Sequence, residues 1–204
     1  MKIVKFPGAG ISCNNYLLKS GGHDGVFALI DSGCDEKHLL HSLDALGVSP
    51  DKVGIVISTH CHFDHVSCNG LFTNAKIMIH SEDAVHVSEK HRTHVLVPVF
   101  PKSFTARVDR MLSDGDLIRV GGDELQVIHT PGHTKGSVCI LHTGSGTLFS
   151  GDTIFAHGSI GRCDLPGGDL HAIKQSIERL RRDYDFDAIH PGHGESTSRD
   201  EEFA

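Results

Sequence analysis

Short apolar runs alternate along the chain with polar, glycine-rich stretches and with a few amphipathic segments. Apolar runs rich in β-branched side chains and bounded by turn residues predict strands. They lie at residues 1–6, 15–18, 26–30, 55–57, 76–79, 117–120, 124–128, 138–141, 147–149 and 186–189. The wholly apolar runs among them are typical of buried strands in an α/β sheet.

Three stretches predict helices instead, because their apolar residues recur every three or four positions. Residues 35–46 open with acidic side chains and are followed by Gly47, which favours a left-handed helix end. Ser81 can cap a second helix that runs to about residue 90. After Asp169, a third helix places its apolar side chains on one face, at Leu170, Ile173, Ile177 and Leu180.

The segment 91–107 contains Pro98 and Pro101 and shows no clear period. It predicts an irregular excursion or flap. The basic residues of the third helix, Arg179, Arg181 and Arg182, lie in its last turns, where they complement the helix dipole. No segment reads as a linker, so we expect one domain over residues 1–204.

Composition narrows the range of partners. The 204 residues carry a formal net charge of -7, with lysines and arginines scattered, which argues against binding nucleic acid or an anionic membrane. The six cysteines form no C-x-x-C pair, so reduced thiols are expected. We find neither a signal peptide nor a membrane span. These features predict a cytoplasmic protein that acts on a small molecule; the oligomeric state is open.

Histidine is the unusual component, with 17 residues against no tryptophan. Many of them follow a predicted strand. The densest run, T-H-C-H-F-D-H at residues 59–65, places His60 and His62 two apart, so an extended backbone points both imidazoles to one side and Cys61 to the other. Imidazole and carboxylate together suit zinc and iron. This run predicts a transition-metal site.

The strand ends show a weak internal echo. One strand ends at Asp31, a helix follows, and the next strand leads to His60; later, a strand ends at Asp152, a helix follows, and the last strand leads to His193. Two similar β-α-β units would collect these polar groups at one edge, where open α/β sheets keep their sites.

Four motifs occur in order over nearly the whole chain: T-H-C-H-F-D-H, H-T-P-G-H-T, F-S-G-D and P-G-H-G. In sequence and approximate spacing they resemble the metallo-β-lactamase superfamily. The resemblance implies an α/β fold, a four-layer αββα sandwich of two mixed sheets flanked by helices. It also implies two divalent metal ions, one held by His60, His62 and His133 and the other by Asp64, His65 and His193, with Asp152 bridging.

The resemblance also suggests roles for further residues. Asp64 and Asp152 would be the catalytic carboxylates, and Asp31 would orient a ligand imidazole. His157 and Arg162 are candidates to meet substrate, and Arg162 can instead pair with Asp164. Zinc is the favoured metal, although the same ligands take iron or manganese.

Two metal ions that share a water make a hydroxide nucleophile near neutral pH. The bridging aspartate and the stretch from Gly151 to Asp169 resemble the short, single-domain members of the glyoxalase II-like group. This resemblance implies hydrolysis of an acyl thioester of the hydroxyacylglutathione type. Full glyoxalase II enzymes carry a C-terminal helical domain and a different sequence after the last histidine, here Gly194-Glu195, which leaves glutathione recognition open.

Two other functions stay open. His60, His133 and Asp152 would also make the two-histidine, one-carboxylate face of a mononuclear iron site, as in the related persulfide dioxygenases. A non-catalytic metal-binding module is the third possibility, but it leaves unexplained why ligands from four distant segments would form an open site.

Overall fold

Two six-stranded β-sheets packed face to face carry the fold in the computed structural model, which describes residues 1–21 and 25–203. The first sheet contains β1 (Lys2–Phe6), β2 (Asn15–Lys19), β3 (Phe27–Ile30), β4 (Val53–Ile57), β5 (Lys76–His80) and β6 (Arg110–Leu112). The second contains β7 (Leu117–Val120), β8 (Asp123–His129), β9 (Val138–His142), β10 (Thr147–Gly151), β11 (Ala188–Pro191) and β12 (Thr197–Ser198).

The described residues also form six α-helices and two 3₁₀-helices, Pro50–Lys52 and Asn69–Leu71. The α-helices are α1 (Glu36–Asp44), α2 (Phe63–Val66), α3 (Ser81–Ser88), α4 (Arg92–Val95), α5 (Leu170–Asp183) and α6 (Arg199–Phe203). Among the described residues, no helix combines the length and the apolar character needed to cross a bilayer.

The strand order runs β1-β2-β3-β4-β5-β6 in the first sheet and β12-β11-β10-β9-β8-β7 in the second. Each sheet is mixed. In the first, β3, β4, β5 and β6 are parallel neighbours. In the second, only β10 and β11 are parallel, with Phe149 opposite His190. The two β-α-β units that the sequence suggested are therefore β3-α1-β4 and β10-α5-β11.

The core is organised in layers. Between the sheets, inward side chains of both, such as Tyr16, Ile57, Val127 and Phe149, form one buried cluster. On the outside of the first sheet, Leu39 and Leu43 of α1 pack against the strands, among them Leu17, Leu29 and Val56. Leu180 of α5 covers the second sheet in the same way, against Ile128 and Leu148. This arrangement confirms the predicted αββα sandwich.

The ten predicted strands all form, with shifts at their ends, but several short elements were not predicted. These are β6, β12, α2, α4 and α6, which are two to five residues long and too short to show a period. The last predicted strand, 186–189, is observed at Ala188–Pro191, so it begins two residues later and extends through Pro191. The glycines at positions 21, 22 and 25 predict a turn before β3, and residues 22–24 of that turn lie outside the described residues.

Three helices, α1, α3 and α5, begin with a side-chain cap. Asp35 caps α1 by accepting from the His38 N–H, and Asp169 caps α5 by accepting from the N–H groups of His171 and Ala172. The prediction that Ser81 caps α3 is wrong. The cap is His80, whose Nδ1 accepts from the Glu82 N–H at 3.3 Å.

Candidate metal centre

Seven side chains from four segments of the chain meet where the strand ends of the two sheets come together. His60 and His62 follow β4 directly, and Asp64 and His65 lie in α2 immediately after. Three further segments supply the remaining side chains, in the β8–β9 loop and just after β10 and β11: His133, Asp152 and His193.

One group consists of His60, His62 and His133. A ring nitrogen of each lies within 4.8 Å of the others, and the rings meet edge to face at centroid distances of 4.5–4.6 Å. The Nε2 atoms of His60 and His133 are 3.2 Å apart. All three side chains are buried. We call this group the three-histidine cluster.

The second group consists of Asp64, His65 and His193, whose ligand-type atoms also lie within 4.8 Å of one another. Asp64 Oδ2 is 3.1 Å from His193 Nε2 and 3.7 Å from His65 Nε2. His65 is fully buried, whereas about a third of the His193 side chain is exposed. This mixed cluster therefore opens to solvent on its His193 side.

Asp152 stands between the two clusters. Its Oδ1 lies 3.4 Å from His65 Nε2, and its Oδ2 lies 3.4 Å from His133 Nε2 and 3.6 Å from His193 Nε2. One carboxylate thus faces histidines of both groups. This is the position that the family resemblance implies for a residue bridging two metal ions.

Burial determines the protonation of the three-histidine cluster. Desolvation, followed by the neighbouring imidazoles, lowers the pKa of His60 well below its usual value. The same causes, with His133 as the main neighbour, lower the pKa of His62 to about 3. Both rings are therefore neutral at physiological pH, which is the form that ligates a metal.

The mixed cluster has the opposite electrostatics. Burial alone would lower the pKa of His65, but Cys13 when ionised, Asp31, Asp152 and Asp64 outweigh it and raise that pKa well above its usual value. Burial would raise the pKa of Asp152, yet the surrounding histidines hold it well below its usual range. A positive charge is required among these carboxylates.

The unpaired polar atoms fit a metal. Within the described residues, His62 Nε2, His65 Nε2 and Asp152 Oδ1 are buried side-chain atoms without a hydrogen-bond partner. An unsatisfied buried polar atom costs about 1–3 kcal/mol, and three of them lie in one small volume. One cation in each cluster would satisfy these atoms, and the nitrogen and carboxylate donor set suits zinc, iron or manganese.

Asp31 lies behind His65, where its carboxylate can orient the imidazole ring. It follows β3 with a φ of 56°, a left-handed conformation that is uncommon outside glycine. Its Oδ2 lies 2.9 Å from His65 Nδ1. The Thr59 N–H donates to Asp31 Oδ1, and the Thr59 hydroxyl donates to Asp31 Oδ2. A carboxylate on Nδ1 leaves Nε2 of the same ring free to face a metal.

Replacing Asp31 with asparagine should weaken metal binding at the mixed cluster by about 10- to 100-fold, the usual cost of losing a carboxylate behind a ligand imidazole. Competition with a chelator measures this directly. Asp35→Asn is the matched control, because Asp35 caps α1 and asparagine caps equally well. Unchanged affinity in Asp31→Asn would show that His65 does not depend on Asp31.

Gly192 permits the close approach of Asp152 and His65. A Cβ at this position would overlap Asp152 Oδ1 and lie 2.8 Å from His65 Cε1. The neighbouring turn is held from the other end of the chain, because Asn14 donates its N–H to the Gly192 carbonyl and its side-chain amide to the Pro191 carbonyl. No local pattern could have predicted this role of Asn14, since the contact joins residues 177 positions apart.

Asp83 positions two loops of the three-histidine cluster, a role that no sequence pattern predicted. It lies in the first turn of α3 and is fully buried. Its Oδ2 accepts from the Cys61 N–H and the Thr134 hydroxyl, and its Oδ1 accepts from the Gly136 N–H, all at 2.8 Å. Cys61 lies between His60 and His62, and Thr134 follows His133. One carboxylate therefore fixes both loops of the three-histidine cluster.

A cavity of about 400 Å³ opens above both clusters. Its floor includes His62, Asp64, His133, Asp152 and His193. Its walls are mainly apolar, formed by Ile11, Phe63, Leu96, Phe155, Ile160 and Leu165. The site is thus accessible to a small molecule with an apolar part.

The two candidate substrate residues differ in position. Arg162 lines the cavity and pairs with Asp164 through two hydrogen bonds of 2.8 and 3.0 Å. Its carbonyl lies 2.8 Å from His133 Nδ1, which orients that ring. His157 is exposed, pairs with Glu195 at 2.8 Å, and lines a separate depression. The structure therefore supports a place at the cavity for Arg162 but not for His157.

Several curated proteins are similar in sequence to this chain. A probable metallo-hydrolase of Methanocaldococcus jannaschii is 35% identical, over 97% of this chain and 95% of its own length. A hydroxyacylglutathione hydrolase of Chelativorans is 30% identical, over 72% of this chain and 50% of its own. An acyl-coenzyme A thioesterase of Gallus gallus is 28% identical, over 93% of this chain and 75% of its own.

Solved structures show the same architecture. The BLEG-1 B3 metallo-beta-lactamase superposes with a TM-score of 0.82 at 26% identity, over 98% of this chain and 96% of that one. TTHA1623 in a di-iron-bound form superposes with a TM-score of 0.77 at 31% identity, over 96% and 94% of the two chains. The family model of the metallo-beta-lactamase superfamily matches residues 8–193, which include every residue of both clusters. The chain described here belongs to that superfamily.

Proposed function

We propose that this protein is a binuclear metallohydrolase that cleaves acyl thioesters. The three-histidine cluster would hold one divalent ion, and Asp64, His65 and His193 would hold the other, with Asp152 contacting both. The observation that carries the proposal is the shared position of Asp152 beneath a cavity with apolar walls. When bound, the ions would supply Lewis acidity, acidifying a water and polarising the scissile carbonyl.

The chain's own side chains have separate tasks in this scheme. The apolar wall binds the acyl group and excludes water from it. Asp64 and Asp152 border the cavity floor, and either carboxylate can take the proton that the attacking water loses. The carbonyl of Arg162 and the carboxylate of Asp31 hold His133 and His65 in place.

A thioester suits this site because its leaving group needs little help. A thiol is far more acidic than an alcohol, with a side-chain pKa near 8.5, so the thiolate departs without a strong general acid. The two relatives whose names state a thioester substrate differ in the carrier, glutathione in one and coenzyme A in the other. Their common element is the acyl–sulfur bond, and we propose that this bond is also what the present protein recognises.

The test combines metal analysis with matched substrates. The purified protein should carry close to two equivalents of metal, most of it zinc, and should release thiol from acyl-glutathione and acyl-coenzyme A. It should cleave the oxygen ester of the same acyl group far more slowly. Metal content near two without thioester cleavage would overturn the substrate and leave the binuclear centre intact.

The acyl wall can be tested within the same assay. Each buried methylene contributes about 0.8 kcal/mol, so kcat/KM should rise about fourfold per methylene until the cavity is full. Leu165→Ala should flatten this dependence, because Leu165 lines the cavity. Leu170→Ala is the matched control, since Leu170 is 53% exposed at the start of α5 and outside the cavity wall.

One observation favours a second function. His60, His133 and Asp152 lie on one face, with His133 Nε2 at 3.2 Å from His60 Nε2 and 3.4 Å from Asp152 Oδ2. This is the ligand set of a mononuclear iron oxygenase, and a persulfide dioxygenase would use it. Iron near one equivalent, with oxygen consumed on a glutathione persulfide, would establish that activity and overturn the hydrolase.

A further inference from the structure

Three more histidines converge away from the central clusters, at the corner between α3 and α4. His86 lies in the last turn of α3, His91 begins the corner, and His94 lies in α4. One ring nitrogen of each lies within 4.8 Å of the others. Neither the family resemblance nor the proposed reaction uses them.

The nitrogens are spaced as metal ligands are. His86 Nδ1 and His91 Nδ1 lie 3.0 Å apart. Two nitrogens bound tetrahedrally to one zinc at about 2.0–2.1 Å are about 3.4 Å from each other. The rings of His86 and His94 are parallel, with centroids 3.9 Å apart. Small rotations of these half-buried side chains would therefore place three nitrogens around one ion.

A carboxylate supports this arrangement from behind. Glu89 Oε2 lies 2.9 Å from His91 Nε2, so that nitrogen carries the proton and Nδ1 presents its lone pair toward His86. Ligand histidines in metal sites usually have such a partner on the other ring nitrogen. Burial and the neighbouring His94 lower the pKa of His86, which favours the neutral ring.

The backbone of the corner is already fixed. The His91 N–H donates to the His86 carbonyl at 2.9 Å, and the N–H groups of His94 and Val95 both donate to the His91 carbonyl. Lys90 and Leu96, on either side, adopt left-handed conformations with φ of 55° and 60°. Little chain ordering would accompany metal binding, because the turn that presents the imidazoles exists without it.

The corner is connected to the substrate cavity. Leu96, two residues after His94, lines the cavity wall. The Cys61 thiol donates to the His94 carbonyl at 3.6 Å, and Cys61 separates His60 from His62. Val95 packs with Val66 of α2, the helix that carries Asp64 and His65. A restraint at this corner therefore acts on one wall of the cavity.

From this geometry we propose that His86, His91 and His94 form a third metal site, for a borderline divalent ion such as Zn²⁺, Ni²⁺ or Cu²⁺, which ties α4 to α3 and holds Leu96 against the cavity. The three imidazole nitrogens suit these ions rather than Mg²⁺ or Ca²⁺, which prefer oxygen. This proposal does not depend on the reaction at the centre.

Equilibrium dialysis against Zn²⁺ tests the site by counting ions. Protein already loaded with zinc at its centre should take up one further equivalent. The double variant His86→Ala/His94→Ala should lose that one equivalent and no other. The matched control is His41→Ala/His171→Ala, which removes two exposed helix histidines and should bind as many ions as the wild type.

Equal zinc counts in the wild type and the corner variant would overturn the third site, and so would equal losses in the corner and control variants. Failure of the central site would instead shift the count in every variant alike. If the double variant does not fold, His94→Gln serves in its place.

Hydrogen exchange provides the second readout. The amides of Val95 and Val97 donate to the carbonyls of His91 and Arg92, so their exchange reports on α4. The additional zinc should slow it in the wild type and in the control variant, but not in the corner variant. If the additional zinc leaves the exchange rates of these amides unchanged in the wild type, the proposed link to the cavity wall is wrong.

Discussion

Replacing Asp152 with alanine should lower the number of metal ions that the protein binds and should abolish nearly all of its hydrolytic activity. Changes to groups that only support metal ligands already cost about 10- to 100-fold. Asp152 faces histidines of both clusters within 3.4–3.6 Å, so its loss should exceed about a hundredfold in kcat/KM. Metal analysis should show a fall from about two equivalents to one or fewer.

The control for this variant is Asp185→Ala, which removes an exposed carboxylate from the turn after α5. It should keep both ions and full activity. Asp152→Asn separates charge from shape, because the amide keeps the volume but cannot balance two cations. Two bound ions and undiminished activity in Asp152→Ala would contradict the position between the clusters as a functional one.

The central side chains could be predicted because they lie within a few residues of strand ends and within motifs that resemble the metallo-β-lactamase superfamily. Strand ends are visible in the hydrophobic pattern, and the parallel pairs β3–β4 and β10–β11 bring those ends to one edge. A histidine or aspartate at such an end is therefore placed by the strand before it. The same logic located Asp31, whose strand ends at Ile30.

Asp83 could not be predicted in this way, because its partners come from two distant loops. In the sequence it is an ordinary acidic residue in the first turn of a helix, where a favourable interaction with the dipole is expected. Its role depends on three contacts with residues 22 to 53 positions away. Contacts of this kind are fixed by the packing of α3 against the loops, not by any local pattern.

The segment 91–107 shows what the pattern missed at the surface. Its two prolines and lack of period suggested an irregular flap, and α4 within it is only four residues long. Its apolar side chains nevertheless pack in one cluster against α2. That cluster contains Val95, Val97, Phe100 and Phe104 of the segment and Phe63 and Val66 of α2. The segment is therefore packed on α2, the helix that carries two of the three residues of the mixed cluster.

Asp83 joins the loop that carries His60 and His62 to the loop that carries His133. Asp83→Ala should therefore destabilise the protein strongly, because it leaves the buried N–H groups of Cys61 and Gly136 without an acceptor. At about 1–3 kcal/mol for each unsatisfied group, the free energy of unfolding should fall by about 2–6 kcal/mol. Chemical denaturation measures this loss.

Asp83→Asn distinguishes positioning from stability alone. An asparagine fits the same space and still accepts one set of hydrogen bonds, but its NH₂ group turns a donor toward either the Gly136 N–H or the Cys61 N–H. The folded variant should bind metal more weakly at His60, His62 and His133 and keep its affinity at the mixed cluster. Glu82→Ala, an exposed neighbour in the same turn, should lose less than about 1 kcal/mol and bind metal normally. Equal weakening at both clusters would mean that Asp83 supports the fold as a whole and not the three-histidine cluster in particular.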